Sequence, residues 1–324
     1  MSLLSWIIFA ALYGGFLCLL RERKVPLIVM RAWYTFHLVL CVIISWLCGV
    51  ALSLLKKVHL LDTETSQSLA RCVCATTFGY WLRFHSPHIR VEHLPGSLSF
   101  SSITEQHNMC LCHSSFFDTI LFLWYVPYRY IYKVKTFFKA SLRKLPLFGT
   151  VIVMCGHFPV YFSSTDADSF SVHKDKQAAV AADVENWVKK GKSLCFYPEG
   201  MVNRTPEVLK DFRLGSFKTI LAHQMPLYYC VSYGNHEVWP PSLKGLPGYP
   251  ADVYVYIGKY DYNPDEEDAR SLATGLREEM QKHLDDMVLK GKRLKCEPRH
   301  VARHADQGGE RGRRMIVEGH AGQL

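Results

Sequence analysis

The stretch that decides the fold of this chain is CHSSFFD, residues 112–118, which is followed further along by FYPEG, residues 196–200. An apolar run leads into each motif, at 108–112 and at 193–197. Short apolar runs that end in turn residues are typical of buried strands. The polar residues of the two motifs are therefore predicted to follow two strands of a sheet.

Strand-like and helix-like patterns alternate on both sides of these motifs. Further strands are predicted at 90–93, 131–135, 158–162, 227–232 and 251–257, and helices at 66–84, 119–126, 139–144 and 174–190. A last helix is predicted to begin at Asn263, because an N-cap residue, a proline and acidic residues follow one another there. The pattern predicts an α/β fold: one domain over residues 61–290, with a mixed sheet flanked by helices.

Two apolar segments precede this domain. Residues 2–20 contain no charged side chain, and residues 32–55 contain none apart from His37 if it is protonated. A membrane span needs about 20 apolar residues, so residues 1–60 are predicted to form a membrane-embedded helical hairpin. A cleaved signal peptide and a buried core helix are the alternatives for the two segments. Basic residues flank the hairpin at both ends, which leaves its orientation open, and a shallow hairpin with both ends on one face is also compatible.

Composition restricts the classes of partner. The formal net charge is +9 at pH 7, and residues 291–324 are predicted to form a basic, flexible tail. An anionic bilayer or substrate explains the charge better than nucleic acid, because no nucleic-acid-binding module is recognisable. The 11 cysteines are irregularly spaced, which argues against a disulfide framework or a structural zinc site. Protein partners are not predicted.

The residue types in the first motif suit general base catalysis. An alcohol is a weak nucleophile at neutral pH, and a neutral imidazole oriented by a carboxylate can remove its proton. His113 and Asp118, five residues apart across a strand-to-helix bend, could form such a pair. The alternative is a surface histidine near a helix-capping aspartate. Ser114 and Ser115 are interpreted mainly as capping residues, and alternatively as donors near a reacting carbonyl.

These motifs resemble the glycerolipid acyltransferase family of the PlsC type, which includes the 1-acylglycerol-3-phosphate acyltransferases. Residues 113–118 match the HxxxxD block, 139–149 resemble the block leading to the second motif, 198–200 match the start of the PEGT block, and 212–217 and 225–227 resemble the later blocks. The resemblance implies His113 as base, Asp118 as its orienting partner and Glu199 with Gly200 in acceptor binding. It also implies an acyl-CoA or acyl-carrier donor and a lysolipid hydroxyl as acceptor.

Two departures from the family pattern concern the phosphate of the acceptor. Phe162 stands near the place of an arginine that usually contacts it, and Met201 replaces the usual threonine, with the next arginine delayed to Arg204. Lys139, Arg204 and Arg213 are predicted to supply the cation that a phosphate monoester requires. Each could instead be an ordinary surface charge.

The sequence thus predicts a membrane-bound O-acyltransferase that uses acyl-CoA as donor substrate, with no metal and no bound cofactor. Lysophosphatidic acid is the favoured acceptor and phosphatidic acid the product. Glycerol-3-phosphate or another lysophospholipid is the nearest alternative, and a catalytically silent lipid-binding protein is a more distant one. The expected location is the endoplasmic reticulum in a eukaryote and the inner membrane in a bacterium.

Overall fold

The computed structural model describes residues 2–163 and 172–296, with side chains to residue 293. The strands are β1 (Ile89–His93), β2 (Asn108–Leu111), β3 (Val134–Lys139), β4 (Phe158–Val160), β5 (Ser193–Phe196), β6 (Leu227–Tyr233) and β7 (Ala251–Tyr260). The helices are α1 (Leu3–Arg21), α2 (Leu27–Lys57), α3 (Thr63–Cys74), α4 (Leu82–His85), α5 (Asp118–Leu123), α6 (Tyr128–Ile131), α7 (Phe148–Met154), α8 (Lys174–Lys189), α9 (Gly215–Ala222), α10 (Asn235–Val238) and α11 (Ala269–Cys296). A π-helical segment, Ala75–Trp81, joins α3 to α4.

The described strands form one sheet in the order β1-β7-β6-β2-β5-β3-β4. Strands β6, β2, β5, β3 and β4 are parallel, whereas β7 runs antiparallel to β6 and β1 runs parallel to β7. The predicted mixed sheet of an α/β fold is confirmed. The parallel arrangement brings the carboxyl ends of β6, β2, β5 and β3 to one edge of the sheet, which is where such sheets place their ligands.

Helices cover both faces of the sheet. Val253, Val255 and Ile257 of β7 pack toward α2, α5 and the π-helical segment, while the intervening Tyr254 packs toward α11. The two faces of this strand therefore carry different side chains, and both faces are covered, because successive side chains of a strand point to opposite faces. A buried stripe on α11 consists of five apolar residues, Leu272, Leu276, Met280, Leu284 and Met287.

The N-terminal hairpin packs unevenly against this domain. Both α1 and α2 are long and apolar enough to cross a membrane by length and composition, yet α1 is almost wholly exposed. In contrast, α2 buries a stripe that runs from Met30 to Gly49. At the far end of the stripe, Gly49 makes room for the Met154 side chain of α7, because a Cβ there would lie 2.2 Å from the Met154 sulfur and that side chain would have to shift.

Polar contacts fix α2 near both ends of its buried stripe. The Arg23 guanidinium, in the turn between α1 and α2, donates to both carboxylate oxygens of Asp252 at 2.8 and 3.0 Å. Arg31 donates to the carbonyl of Leu246. Near the other end, the Ser45 and Thr77 hydroxyls lie 2.8 Å apart in the buried contact with the π-helical segment.

Several predicted element boundaries were wrong. The helix predicted at 139–144 is a 3-10 helix at Ala140–Lys144, because Lys139 still belongs to β3. The strand predicted at 131–135 lies at 134–139, because Pro127 starts helix α6 and its carbonyl accepts from Tyr130 and Ile131. The last helix begins at Ala269 rather than Asn263, because the Asp268 carboxylate accepts from the backbone N–H of Ser271 at 2.7 Å and acts as the cap. That helix continues past residue 290 to Cys296, and the predicted tail lies outside the described residues from 297 onward.

Candidate active site

His113 and Asp118 are paired at the carboxyl end of β2. The strand ends at Leu111, and Asp118 is the first residue of α5, so the turn between them brings the two side chains together. His113 Nδ1 lies 2.8 Å from Asp118 Oδ2. A carboxylate oxygen only accepts, so Nδ1 carries a proton, and the neutral tautomer of this ring has its lone pair on Nε2. The imidazole is 21% exposed, so part of the ring is open to solvent.

The Asp118 carboxylate is buried and surrounded by donors. Its Oδ2 also accepts from the backbone N–H groups of Ser114, at 2.8 Å, and Ser115, at 2.9 Å. Its Oδ1 accepts from the side-chain amide of Asn235. With the His113 bond, these donors occupy about four acceptor positions, which is the capacity of an ionised carboxylate. The arrangement holds Asp118 in one orientation.

The two serines of the motif differ. The Ser115 hydroxyl accepts from the Phe117 N–H at 3.0 Å and donates to the Trp239 carbonyl at 2.7 Å, as in a local capping turn. The Ser114 side chain is buried beside His113, and its Oγ has no hydrogen-bond partner among the described residues. Ser114 therefore does not cap the helix through its hydroxyl.

Glu199 lies beneath the motif with its carboxylate turned inward. Oε1 accepts from the backbone N–H of His113 at 2.9 Å, and Oε2 accepts from Asn203 Nδ2 at 2.8 Å and from the Lys210 N–H at 3.1 Å. Burial raises the pKa of this carboxyl, and the donors from His113, Lys210 and Asn203 partly oppose that rise. The 1% exposure of Glu199 leaves no surface for a bound acceptor. Its contacts instead connect the FYPEG motif to the His113 backbone.

The residues next to Glu199 form a turn that packs Tyr197 against the His113 ring. Gly200 has a positive φ of 73°, which an L side chain rarely adopts, and its N–H donates to the Tyr197 carbonyl at 3.1 Å. The Tyr197 ring packs against the His113 imidazole with centroids 4.4 Å apart. The Tyr197 and Thr119 hydroxyls lie 3.2 Å apart, which fixes that ring.

The three candidate phosphate-binding cations follow strands that end at this edge of the sheet. Lys139 is the last residue of β3, and its ammonium lies 5.7 Å from the Phe162 ring centroid. Arg204 is exposed and follows Asn203, whose N–H donates to the His113 carbonyl. Arg213 is exposed, and its backbone N–H donates to the Pro198 carbonyl at 2.8 Å. The fold therefore brings all three to the edge that carries His113.

A small, mainly apolar cavity adjoins the buried side of the pair. Asp118 and Tyr197 line it on one side, and the other lining residues include Phe100, Leu121 and Val255. No group of three or more His, Cys, Asp or Glu side chains that could hold a metal ion occurs within residues 2–163 and 172–293.

Asn235 and Tyr197 are the site residues that sequence reasoning did not identify. Asn235 follows β6 through Gly234, and β6 is the parallel neighbour of β2. A polar residue just beyond the carboxyl end of an apolar strand was the available signal. That signal became specific only once the strand order was known.

Comparison with known proteins finds an acyltransferase domain within the chain. Residues 104–233 match the sequence model of the family described as Acyltransferase. A search of curated proteins found no match to this chain. Among solved structures, the crystal structure of the 1-acyl-sn-glycerophosphate (LPA) acyltransferase PlsC from Thermotoga maritima matches with a TM-score of 0.56 and 15% sequence identity, covering 86% of this chain and 99% of that one. The predicted fold is confirmed, and the matched domain supports the predicted family.

Proposed function

Since the chain contains a domain of the acyltransferase family on the fold of PlsC, we propose that it transfers a fatty acyl group from acyl-CoA to a lysophospholipid hydroxyl. Lysophosphatidic acid is the proposed acceptor and phosphatidic acid the product. The observation that carries this proposal is the His113–Asp118 pair, in which Asp118 orients the imidazole through Nδ1 and the ring stays partly exposed.

The chemistry requires one proton carrier. His113 Nε2 takes the proton of the acceptor hydroxyl as its oxygen attacks the thioester carbonyl of acyl-CoA. The tetrahedral intermediate collapses, the C–S bond breaks, and the imidazolium returns the proton to the leaving thiolate of CoA. Asp118 stabilises the imidazolium between these two steps, as the buried carboxylate does in a Ser-His-Asp site. The products are the acylated lipid and free CoA.

The charges at the edge of the sheet favour an acceptor with a phosphate monoester. Lys139 provides an ammonium group, and Arg204 and Arg213 provide guanidinium groups. A guanidinium group can bind two phosphate oxygens at once through two parallel N–H bonds. Phe162, two residues beyond β4, supports a second acceptor class, because an aromatic ring replaces a cation there. Lysophospholipids with larger head groups, whose phosphate is a diester, belong to that class, whereas glycerol-3-phosphate is a monoester alternative to lysophosphatidic acid within the first class.

The acceptor is tested by offering lysophosphatidic acid, glycerol-3-phosphate and lysophosphatidylcholine, each with labelled acyl-CoA, to membranes that carry the protein. We expect labelled phosphatidic acid as the main product. A main product from another acceptor would overturn the choice of lysophosphatidic acid, and no product from any of the three acceptors would favour a silent lipid-binding protein.

Lys139→Ala should raise KM for lysophosphatidic acid more than it lowers kcat, because a lost phosphate contact weakens binding in ground and transition states alike.

We also propose that the hairpin enters the membrane from one face without placing the domain on the far side. The buried stripe of α2 from Met30 to Gly49 corresponds to about 28 Å of helix, close to the thickness of a hydrocarbon core. Arg23 and Ser45, near opposite ends of this stripe, both contact the same domain. A helix docked along such a length cannot also cross the bilayer away from that domain. The endoplasmic reticulum, or the inner membrane in a bacterium, is the proposed location.

Labelling of introduced cysteines tests this arrangement. Lys24→Cys lies in the turn between α1 and α2, Lys57→Cys ends α2, and Asp261→Cys marks the domain. In sealed vesicles with the domain outside, a membrane-impermeant maleimide should label all three, beyond the labelling of the native cysteines. Protection of the Lys24→Cys variant alone until detergent is added would show that α2 spans the bilayer.

A further inference from the structure

Asn235 reaches the His113–Asp118 pair from a strand on the opposite side of β2 from the FYPEG motif. Strand β6 ends at Tyr233, and Gly234 then turns the chain with a φ of 94°. A Cβ at that glycine would lie 2.2 Å from the Asp252 carbonyl oxygen, so the turn depends on glycine. Asn235 itself is fully buried, and its amide points at Asp118 Oδ1.

We propose that Asn235 is a positioning residue for acyl transfer, which holds Asp118 so that its other oxygen orients the His113 imidazole. This inference rests on the proposed function. Oδ2 already accepts from His113 and two backbone N–H groups, whereas Asn235 is the hydrogen-bond donor to Oδ1 among the described residues. Rotation of the carboxylate about its terminal torsion would break all of these bonds. Asn235 opposes that rotation from the side that the HSSFFD turn does not reach.

The identity of the side chain follows from the chemistry of the contact. A carboxylate offers only acceptors, so the asparagine must present its NH₂ group, and its Oδ1 is left buried without a partner in the described part of the chain. A buried carbonyl oxygen without a partner costs free energy. The fold tolerates that cost at the point where the amide N–H meets the catalytic carboxylate, which supports a role beyond packing.

Loss of the amide should make the His113–Asp118 pair bind a proton more tightly. Without the N–H donor, the carboxylate charge is less stabilised and attracts the imidazolium more strongly. The titratable groups that face the pair are Glu199, Tyr197 and the thiols of Cys112 and Cys230. None of these is cationic, so none compensates for the lost donor.

The test compares the pH dependence of kcat/KM for Asn235→Ala and Asn235→Asp with that of the unchanged protein. The midpoint of the acid limb should rise by about half a pH unit or more for Asn235→Ala, and further for Asn235→Asp, which adds a negative charge. At the plateau, kcat should fall about 10- to 100-fold in Asn235→Ala with KM nearly unchanged. Val238→Ala, a buried change in the same short helix without contact to Asp118, controls for loosening of the segment and should keep the original midpoint.

A second readout does not depend on turnover. Diethyl pyrocarbonate modifies neutral imidazole. The rate at which it modifies the peptide that contains His113, measured by mass spectrometry as a function of pH, therefore gives the protonation midpoint of His113 in each variant. The proposal is supported if the midpoint rises from the unchanged protein to Asn235→Ala and again to Asn235→Asp. Equal midpoints, or an equal shift in Val238→Ala, overturn it. If no acceptor is esterified by the unchanged protein, the proposed function fails, and the modification midpoints still decide the role of Asn235.

Discussion

Replacing His113 by alanine should lower acyl transfer by about 100- to 10,000-fold, the range that a positioned general base contributes. The substrate hydroxyl would then have to lose its proton to water. The fold should survive, because the imidazole is partly exposed and the backbone N–H of His113 keeps its bond to Glu199. The measurement is the initial rate of acyl-CoA-dependent esterification, normalised to folded protein.

His93→Ala is the matched control, since His93 is an exposed histidine of β1 on the far side of β7 from the active site. It should retain nearly full activity. Asp118→Asn should fall between the two, because an amide still accepts the Nδ1–H bond but cannot stabilise the imidazolium by charge. A His113→Ala rate within a factor of a few of the unchanged protein would exclude His113 as the base.

Replacing Glu199 by alanine should lower the free energy of unfolding by about 3 kcal/mol or more, because it strands buried donors that each cost about 1–3 kcal/mol. These are the N–H groups of His113 and Lys210 and the amide of Asn203. Activity per folded molecule should also fall, since the His113 backbone loses its anchor. Denaturant unfolding in detergent and the esterification rate measure the two effects separately.

Glu207→Ala provides the comparison within the same loop. Glu207 is about half exposed and pairs with Lys292 at 3.2 Å, a surface ion pair that contributes about 1 kcal/mol or less. Glu199→Gln should be destabilised as well, because its NH₂ group must face at least one of the donors. If Glu199→Ala raised only KM for the acceptor and left stability unchanged, Glu199 would be an acceptor-binding residue, as the family resemblance implies.

The sequence was sufficient for the parts of the fold that depend on local pattern. Alternation in β7, the stripe of α11 and the helix at 174–189 are all properties of one segment and its immediate neighbours. The start of the last helix was mispredicted because two capping sequences stand close together. Asn263 accepts from the Asp265 N–H in a turn, while Asp268 caps the helix, and the pattern does not say which of them wins.

The candidate site also has one part that local sequence predicts and one part that depends on the order of the strands. His113 and Asp118 are five residues apart, so a local turn suffices to predict their contact. The Asn235 contact joins residues 117 positions apart, and the Glu199 contact joins residues 86 apart. Both depend on β6 and β5 flanking β2, and strand order is set by packing that the sequence pattern does not reveal. The inward-facing carboxylate of Glu199 was therefore not foreseen.

The docked hairpin has a consequence for modularity. Tyr34 of α2 is fully buried, and its ring centroid lies 6.5 Å from that of Phe117, a residue of the HSSFFD motif. Gly248 packs against the same tyrosine so closely that a Cβ would lie 2.4 Å from it. The hairpin thus supplies part of the wall behind the turn that carries His113. Replacing the hairpin by an unrelated lipid anchor would remove this packing from Phe117, so we expect the hairpin and the domain to work only as one unit.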